Sequence, residues 1–280
     1  GDEGCAEPKN DNDDPTVFNW DGFHFKITEA RNAVIIKAAE KRGVKTVIAT
    51  AWSPPGWMKD TGLRAGGGSL QKKHLADYAE HWAAYVIAMK RDFDIDIRYL
   101  SIQNEPDIEY YYPTCGIDPG PYAVCLQAVR GRLQKENRKT RVLGPDCCRI
   151  YHIKDYVDKL EATNVNPGEP ILTHLYDLSI PYEAVHRDAE RWRAARQYAD
   201  PLRRPLWLME TANYLSNTEP GSFTEALIWA RKIHHALVDG NCEVVCYWSL
   251  YFDKLGEALI YAEKSDVEAY KITQIGRASC

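Results

Sequence analysis

Several features are missing from this 280-residue sequence, and each absence excludes a class of protein. No apolar stretch approaches the roughly 18 residues that a membrane-spanning helix requires, so we expect no membrane span. The formal net charge is -5 and no lysine or arginine run stands out, so we expect no nucleic-acid partner. Gly66-Gly67-Gly68 lies in a predicted loop, after no strand, which disfavours a nucleotide-binding sheet.

The eight cysteines lack the spacing of a metal site. None forms a Cys-x-x-Cys pair and no Cys/His cluster has zinc spacing, so we expect neither a metal nor a cofactor. Cys115 and Cys125 flank a Gly/Pro-rich loop, where a local disulfide is one alternative if the protein is exported. Cys242 and Cys246 share the parity of one predicted strand, which favours packing in the core.

Strand-like and helix-like stretches alternate along the chain, as in an α/β protein with a parallel sheet. Strands are predicted at residues 45–52, 97–105, 140–146, 170–177, 205–213 and 242–251. Helices are predicted at residues 28–42, 72–93, 122–134, 154–162, 182–198 and 222–238. At this length a (β/α) barrel competes with an open doubly wound sheet.

Two glutamates come at the carboxyl ends of predicted strands: Glu105 in Ser-Ile-Gln-Asn-Glu-Pro and Glu210 in Trp-Leu-Met-Glu-Thr. The carboxyl ends of parallel strands meet at one edge, so both carboxylates are expected to face one crevice. Cleavage of a glycosidic bond needs one carboxylic acid to protonate the leaving oxygen and one carboxylate to attack. An isolated Asn-Glu-Pro is equally typical of a surface turn, but the pair of glutamates favours a glycosidase.

Five motifs together resemble glycoside hydrolase family 30, over about residues 45–253. They are Trp52-Ser-Pro-Pro-Gly-Trp-Met-Lys59, Gly67-Gly-Ser-Leu70, Ser101-Ile-Gln-Asn-Glu-Pro106, His174-Leu-Tyr-Asp177 and Met209-Glu-Thr211. The resemblance implies a (β/α)8 TIM barrel in which Glu105 is the acid/base and Glu210 the nucleophile of a retaining β-glycosidase. Retention predicts carboxyl groups about 5 to 5.5 Å apart.

The resemblance also implies neighbours for the two glutamates. Tyr176 matches the tyrosine that the family places beside its nucleophile, where a phenol proton would keep Glu210 ionised and oriented. Asn104, next to Glu105, can donate to the sugar 2-hydroxyl.

Three further residues are candidates for lining the sugar site. Trp52 and Trp248, at strand ends, can stack on sugar rings or simply fill the barrel mouth. His174 lines the pocket or is a satisfied core histidine. We also expect a strained or cis peptide after Trp248.

Counting strands exposes a departure from the family. If Glu105 ends strand four, residues 45–52 form strand three, and strands one and two are expected to be missing. Residues 1–280 are therefore expected to form a single, incomplete catalytic barrel domain with strands three to eight, largely without the family's accessory β-sandwich.

Two rival functions remain open. A non-catalytic carbohydrate-binding barrel would keep the tryptophans without needing both glutamates. A metal-dependent barrel isomerase or lyase would use His174 and Asp177 with the glutamates as ligands.

The resemblance extends to substrate and setting. The partner is expected to be a β-linked oligo- or polysaccharide, with a lean towards the glucosylceramidase and β-1,6-glucanase branches. We expect a secreted monomer, although the N-terminal residues do not resemble a secretory signal.

Overall fold

The computed structural model describes residues 6–10, 13–165, 168–176, 186–212, 222–253, 257–263 and 266–278. The chain divides into two compact units. Unit 1 comprises Gly1–Asp146 and Asp155–Glu169, and unit 2 comprises Cys147–Lys154 and Pro170–Cys280.

Unit 1 contains a parallel sheet whose strands follow one another in chain order. These strands are β1 (Ile48–Thr50), β2 (Tyr99–Ser101) and β3 (Arg141–Leu143). Helix α1 (Ile27–Glu40) precedes β1, α2 (Leu75–Phe93) connects β1 to β2, and α3 (Pro119–Lys135) connects β2 to β3. A parallel pair requires such a crossover, so each helix returns the chain to the same edge of the sheet.

The two crossover helices of unit 1 pack against each other and bury large aromatic side chains. Tyr78 and Trp82 of α2 and Tyr122 of α3 are buried. The Tyr78 hydroxyl donates to the carbonyl of Ile102 at 2.6 Å, which ties α2 to the segment that follows β2. Burial raises the pKa of Tyr78 well above its usual value, so this phenol keeps its proton and remains a donor.

The N-terminal segment begins with acidic residues, but the aromatic side chains that follow them pack into an apolar cluster. Phe18, Trp20, Phe23 and Phe25 join a cluster with residues of α2. Helix α1, by contrast, leaves Ile27, Val34 and Ile35 exposed.

The boundary between the units falls within two elements, β4 (Asp146–Cys147) and α4 (Ile153–Ala162). Unit 2 contains a second parallel sheet of β5 (Ile171–His174), β6 (Leu206–Glu210) and β7 (Val244–Val245). Helix α5 (His186–Leu202) connects β5 to β6, and α6 (Phe223–Val238) connects β6 to β7. Trp192 of α5 and Trp229 of α6 are fully buried, so both helices contribute to the core of the unit.

A small second sheet in unit 2 was not predicted from the sequence. It consists of β8 (Tyr251–Phe252), β9 (Ile260–Glu263) and β10 (Asp266–Ile272), and α7 (Gln274–Ala278) follows it. β9 is parallel to β8 and antiparallel to β10. The alternating Val-x-Ala-x-Lys pattern of residues 267–271 is the feature of the sequence that could have indicated a strand here.

All six predicted strands and all six predicted helices have counterparts in the structure, although the strands are shorter than predicted. Cys115 and Cys125 are buried free thiols, which corrects the local-disulfide alternative. Both side chains lie in the apolar interior, where burial raises the pKa of each thiol to about 12. Among the described helices, none has the length and apolar character needed to cross a membrane.

Candidate active site

The segment after β2 continues the parallel pairing beyond the formal end of the strand. The amide of Asn104 donates to the carbonyl of Ala51 at 2.6 Å, and the amide of Glu105 donates to the carbonyl of Asp146 at 2.9 Å. Glu105 is therefore fixed at the carboxyl edge of the unit 1 sheet, where the sequence predicts it. Its side chain is buried, with the residue 2% exposed.

Glu105 has an unusual backbone and a defined side-chain partner. Its φ is 49°, in the left-handed region that a non-glycine residue rarely adopts and that is enriched at functional sites. The hydroxyl of Tyr112 donates a hydrogen bond to Oε2 of Glu105. Nothing in the spacing of Tyr112 from Glu105 along the sequence indicates this contact.

Asn104 is buried without a side-chain partner among the described residues. It is 1% exposed, and neither its Nδ2 nor its Oδ1 has a hydrogen-bond partner. A buried amide without partners costs free energy comparable to the desolvation of a polar group, about 1–3 kcal/mol. Such a group is suited to a ligand that brings both a donor and an acceptor, as a sugar hydroxyl does.

Trp52 directly follows the segment that pairs with Asn104. Its carbonyl accepts a hydrogen bond from Nε2 of Gln103 at 2.7 Å. Its ring is half-buried, with its centroid 5.5 Å from that of Tyr112. The tryptophan, Asn104, Glu105 and Tyr112 thus form one cluster within unit 1.

Two charged side chains, of Lys59 and Glu109, hold the loops around this cluster. Nζ of Lys59 donates to the carbonyls of Thr114 at 2.6 Å and Arg64 at 3.0 Å. Burial lowers the pKa of Lys59, which is 1% exposed. Oε2 of Glu109 accepts a hydrogen bond from the amide of Gly68 at 3.0 Å. Neither role is predictable from the sequence, because each residue acts through contacts with a distant loop.

In unit 2, Glu210 is the last residue of β6 and is half-buried. It lies opposite His174 of β5, and its carbonyl accepts a hydrogen bond from the amide of Leu175 at 3.3 Å. His174 is 1% exposed. The structure therefore places this glutamate at the carboxyl end of its strand, as predicted, beside the predicted histidine.

Tyr176 and Trp248 follow the ends of two strands of unit 2: Tyr176 follows β5, and Trp248 follows β7. Tyr176 is buried, and its ring lies 5.8 Å from that of His174. The amide of Trp248 donates to the carbonyl of Thr211 at 3.0 Å, immediately after Glu210. The peptide bond between Trp248 and Ser249 is cis, which confirms the expectation of an unusual peptide at this position.

The predicted site residues divide between the two units. Asn104, Glu105 and Trp52 cluster in unit 1, whereas His174, Tyr176, Glu210 and Trp248 belong to unit 2. Pairing of the two glutamates across one bond stays a prediction. Asp177, considered above as a metal ligand, lies outside the described residues.

Comparison with known families supports the interpretation of these motifs. Residues 10–116 match the model of the glycosyl hydrolase family 30 TIM-barrel domain, and the match includes both Trp52 and the Asn104-Glu105 pair. Over these residues the chain resembles glycoside hydrolase family 30. The resemblance that the five motifs predict is thereby confirmed.

Curated relatives match this chain over part of their length. A glucuronoxylanase, XynC of Bacillus subtilis (strain 168), is 27% identical over 223 residues, which cover 76% of this chain and 47% of the relative. A Caenorhabditis elegans protein with the provisional name glucosylceramidase 4 is 34% identical over 114 residues, which cover 38% of this chain and 21% of that protein. The chain thus spans about half, or less, of the length of these relatives.

Among solved structures, the catalytic domain of a family 30 xylanase C from Talaromyces cellulolyticus matches with a TM-score of 0.76. The sequence identity is 18%, and the match covers 97% of this chain and 61% of the other. At this identity the likeness bears on the fold alone. It confirms the predicted α/β fold class of the TIM-barrel type.

Proposed function

We propose that this chain hydrolyses O-glycosidic bonds in β-linked glycans or glycosides by a retaining double displacement. The carboxylate of Glu210 attacks the anomeric carbon while Glu105 gives its proton to the leaving oxygen. Glu105 then removes a proton from water, which attacks the anomeric carbon and releases Glu210 from the glycosyl ester.

The observation that carries the proposal is the buried Asn104-Glu105 pair at the carboxyl edge of the unit 1 sheet. Glu105 has a left-handed backbone, and its carboxylate accepts a hydrogen bond from Tyr112. The side-chain amide of Asn104 has no partner among the described residues and is suited to a sugar 2-hydroxyl. The burial of Glu105 at the strand end supports a role as the acid/base, whose ionised form accepts the Tyr112 hydrogen bond after the proton has left. The amide of Asn104 supports a role in binding the sugar.

The unit 2 residues support the second half of the mechanism. Glu210 comes at the corresponding end of β6, and Tyr176 follows β5 nearby in the same sheet. We assign Glu210 as the nucleophile and Tyr176 as the phenol that orients it. We assign Trp52 and Trp248 to stacking on sugar rings, and His174 to lining the pocket.

The test compares the wild-type chain with Glu105→Gln and Glu210→Gln on aryl β-glucosides and β-xylosides, xylan, glucuronoxylan and β-1,6-glucan. We expect loss of Glu210 to abolish turnover. Loss of Glu105 should reduce it about 100- to 10,000-fold, because the acid/base is lost. Azide should restore turnover of an activated aryl glycoside in Glu105→Gln and yield a β-glycosyl azide.

The same panel separates the rival functions. Loss of turnover on adding a chelator would instead favour metal-dependent chemistry, and binding of a glycan without turnover would favour a carbohydrate-binding barrel. Full turnover in Glu210→Gln would contradict the proposed nucleophile. The substrate that is turned over fastest identifies the sugar and linkage.

The proposal also covers the domain organisation, the oligomeric state and the location of the protein. The catalytic residues are assigned to a single barrel domain that acts as a secreted monomer, since the family's substrates include polysaccharides outside the cell. Sedimentation of the active chain as a dimer would contradict the monomer.

A further inference from the structure

We propose that Tyr110, Tyr111 and Tyr112 form an aromatic platform that binds the leaving-group portion of a β-linked glycan. The three tyrosines follow the acid/base in the chain, and the double displacement assigns no role to Tyr110 or Tyr111. The inference rests on the proposed function for the position of the scissile bond, but the platform can be tested by binding alone.

The rings of the aromatic platform are in mutual contact. The ring centroids are 4.9 Å apart for Tyr110 and Tyr111, 5.6 Å for Tyr111 and Tyr112, and 5.4 Å for Tyr110 and Tyr112. Tyr112 also contacts Trp52, so the aromatic surface continues to the residue assigned to sugar stacking. Contiguous rings of this kind offer several stacking faces to a chain of sugars.

The outer rings are presented to solvent on a loop that is held in place. Tyr111 is 78% exposed and Tyr110 is 48% exposed. The amide of Tyr110 donates to Oγ1 of Thr114, and that hydroxyl donates back to the carbonyl of Tyr110. Glu109, the preceding residue, is bonded to Gly68. A ligand therefore meets rings whose backbone is already ordered, which reduces the entropic cost of binding.

The contact between Tyr112 and Glu105 indicates which part of the glycan the platform meets. The acid/base protonates the leaving oxygen, whereas the nucleophile attacks the anomeric carbon from the opposite side. Tyr112 is bonded to the acid/base, and the exposed rings of Tyr110 and Tyr111 both contact the ring of Tyr112. The platform therefore meets the sugars beyond the leaving oxygen.

The exposure of the rings favours a carbohydrate over a lipid. A tyrosine presents an apolar face and a hydroxyl at its edge, which matches the apolar faces and hydroxyl groups of a sugar ring. An acyl chain gains most from an enclosed apolar groove, whereas Tyr111 is largely surrounded by solvent.

Binding is measured by calorimetry on the full chain carrying Glu210→Gln, with β-1,4-xylohexaose and a β-1,6-linked glucohexaose as probes. We expect Tyr111→Ala to raise the Kd of the probe that binds about threefold to tenfold, as expected for one stacking contact. Tyr111→Phe, which keeps the ring, should restore most of the affinity. Tyr151→Ala is the matched control, because Tyr151 is also exposed, at 55%.

Three outcomes would overturn the platform: no binding of either hexasaccharide, equal affinity in Tyr111→Ala and the parent, or an equal loss in Tyr151→Ala. A short-chain glucosylceramide is the third probe. If Tyr111→Ala weakens binding of that lipid and of neither oligosaccharide, the surface binds lipid and the carbohydrate assignment is wrong.

A second readout tests the leaving-group side. A 2-deoxy-2-fluoroglycosyl enzyme, formed on Glu210 of the wild-type background, is reactivated by an acceptor disaccharide that binds beyond the cleaved bond. The acceptor concentration for half-maximal reactivation should rise in Tyr111→Ala, and an unchanged value would refute this location. If the chain binds glycan in a way that depends on Tyr111 but does not hydrolyse it, the platform is supported and the proposed activity is refuted. If the chain hydrolyses glycan and neither hydrolysis nor binding changes in Tyr111→Ala, the activity is supported and the platform is refuted.

Discussion

At the residue scale, the hydrogen bond from Tyr112 gives Glu105, the proposed acid/base, a fixed orientation. We expect Tyr112→Phe to lower kcat/KM about tenfold on glycosides with poor leaving groups, because a hydrogen bond to a charged group contributes about 1.5–3 kcal/mol. The 2,4-dinitrophenyl glycosides should be much less affected, since their leaving group departs without a proton. Steady-state kinetics on both substrates make the comparison.

The control for this substitution is Tyr151→Phe, which removes an exposed hydroxyl elsewhere in the chain. An equal fall on both kinds of leaving group would argue that Tyr112 supports the loop rather than the proton transfer.

The sequence predicts the position of Glu105 and Glu210 at strand ends, because each follows an apolar run that must be a buried strand. It does not predict the partner of Glu105. The path of the loop that carries Tyr112 is set by Lys59 and Glu109, which contact segments distant in the chain. Local patterns carry no information about such contacts.

At the element scale, Glu109 links the Gly-rich loop to the loop of the aromatic platform. Its carboxylate accepts the Gly68 amide, and a Cβ on Gly67 or Gly116 would approach this carboxylate to 2.6 or 2.8 Å. We expect Glu109→Ala to lower the free energy of unfolding by about 1–3 kcal/mol, because a buried amide loses its acceptor. Urea denaturation measures the change.

The matched control is Glu190→Ala, which truncates an exposed glutamate on α5. The idea that Glu109 anchors the loops would be abandoned if both variants unfolded at the same urea concentration.

Helix α2 was predictable because its apolar positions recur at helical spacing and are buried. The length of the strands was not, since a ladder ends where the neighbouring strand stops pairing. The small sheet of β8, β9 and β10 escaped prediction because its strands are short and its pattern mixes charged and apolar residues.

At the scale of the whole molecule, buried thiols couple stability to alkaline pH. Burial raises the pKa of Cys115, Cys125 and Cys242 from 9.0 to about 12, and that of Tyr85 from 10.0 to about 12. Between pH 9 and 12 the folded chain binds more protons than the unfolded chain. Stability therefore falls as the pH rises through this window.

We expect the urea midpoint, measured in the presence of a reducing agent, to decrease steadily from pH 8.5 to 11. The lowered pKa of Lys59 makes stability rise with pH, but this is one group, whereas three thiols and Tyr85 make stability fall. The triple variant Cys115→Ala, Cys125→Ala, Cys242→Ala should show a shallower decrease whatever its stability at neutral pH. A slope identical to that of the parent would contradict the role of the thiols.

The fold class follows from the alternation of strands and helices together with the motifs, and the likeness to a family 30 catalytic domain confirms it. The division into two compact units was not apparent, because the sequence shows no linker or change of composition at residues 146–170. That residues 1–280 act as a single barrel domain stays a prediction.

The buried ammonium of Lys59 offers a chemical reporter of loop opening. Amine-reactive reagents label lysines at the surface within minutes, but Lys59 is enclosed by the carbonyls of Thr114 and Arg64. Its labelling has to wait until the loop that follows Glu105 separates from the Trp-Ser-Pro-Pro loop. Mass spectrometry of the peptide that contains Lys59 would therefore time that opening directly, and a bound glycan that holds the loop shut would slow the modification.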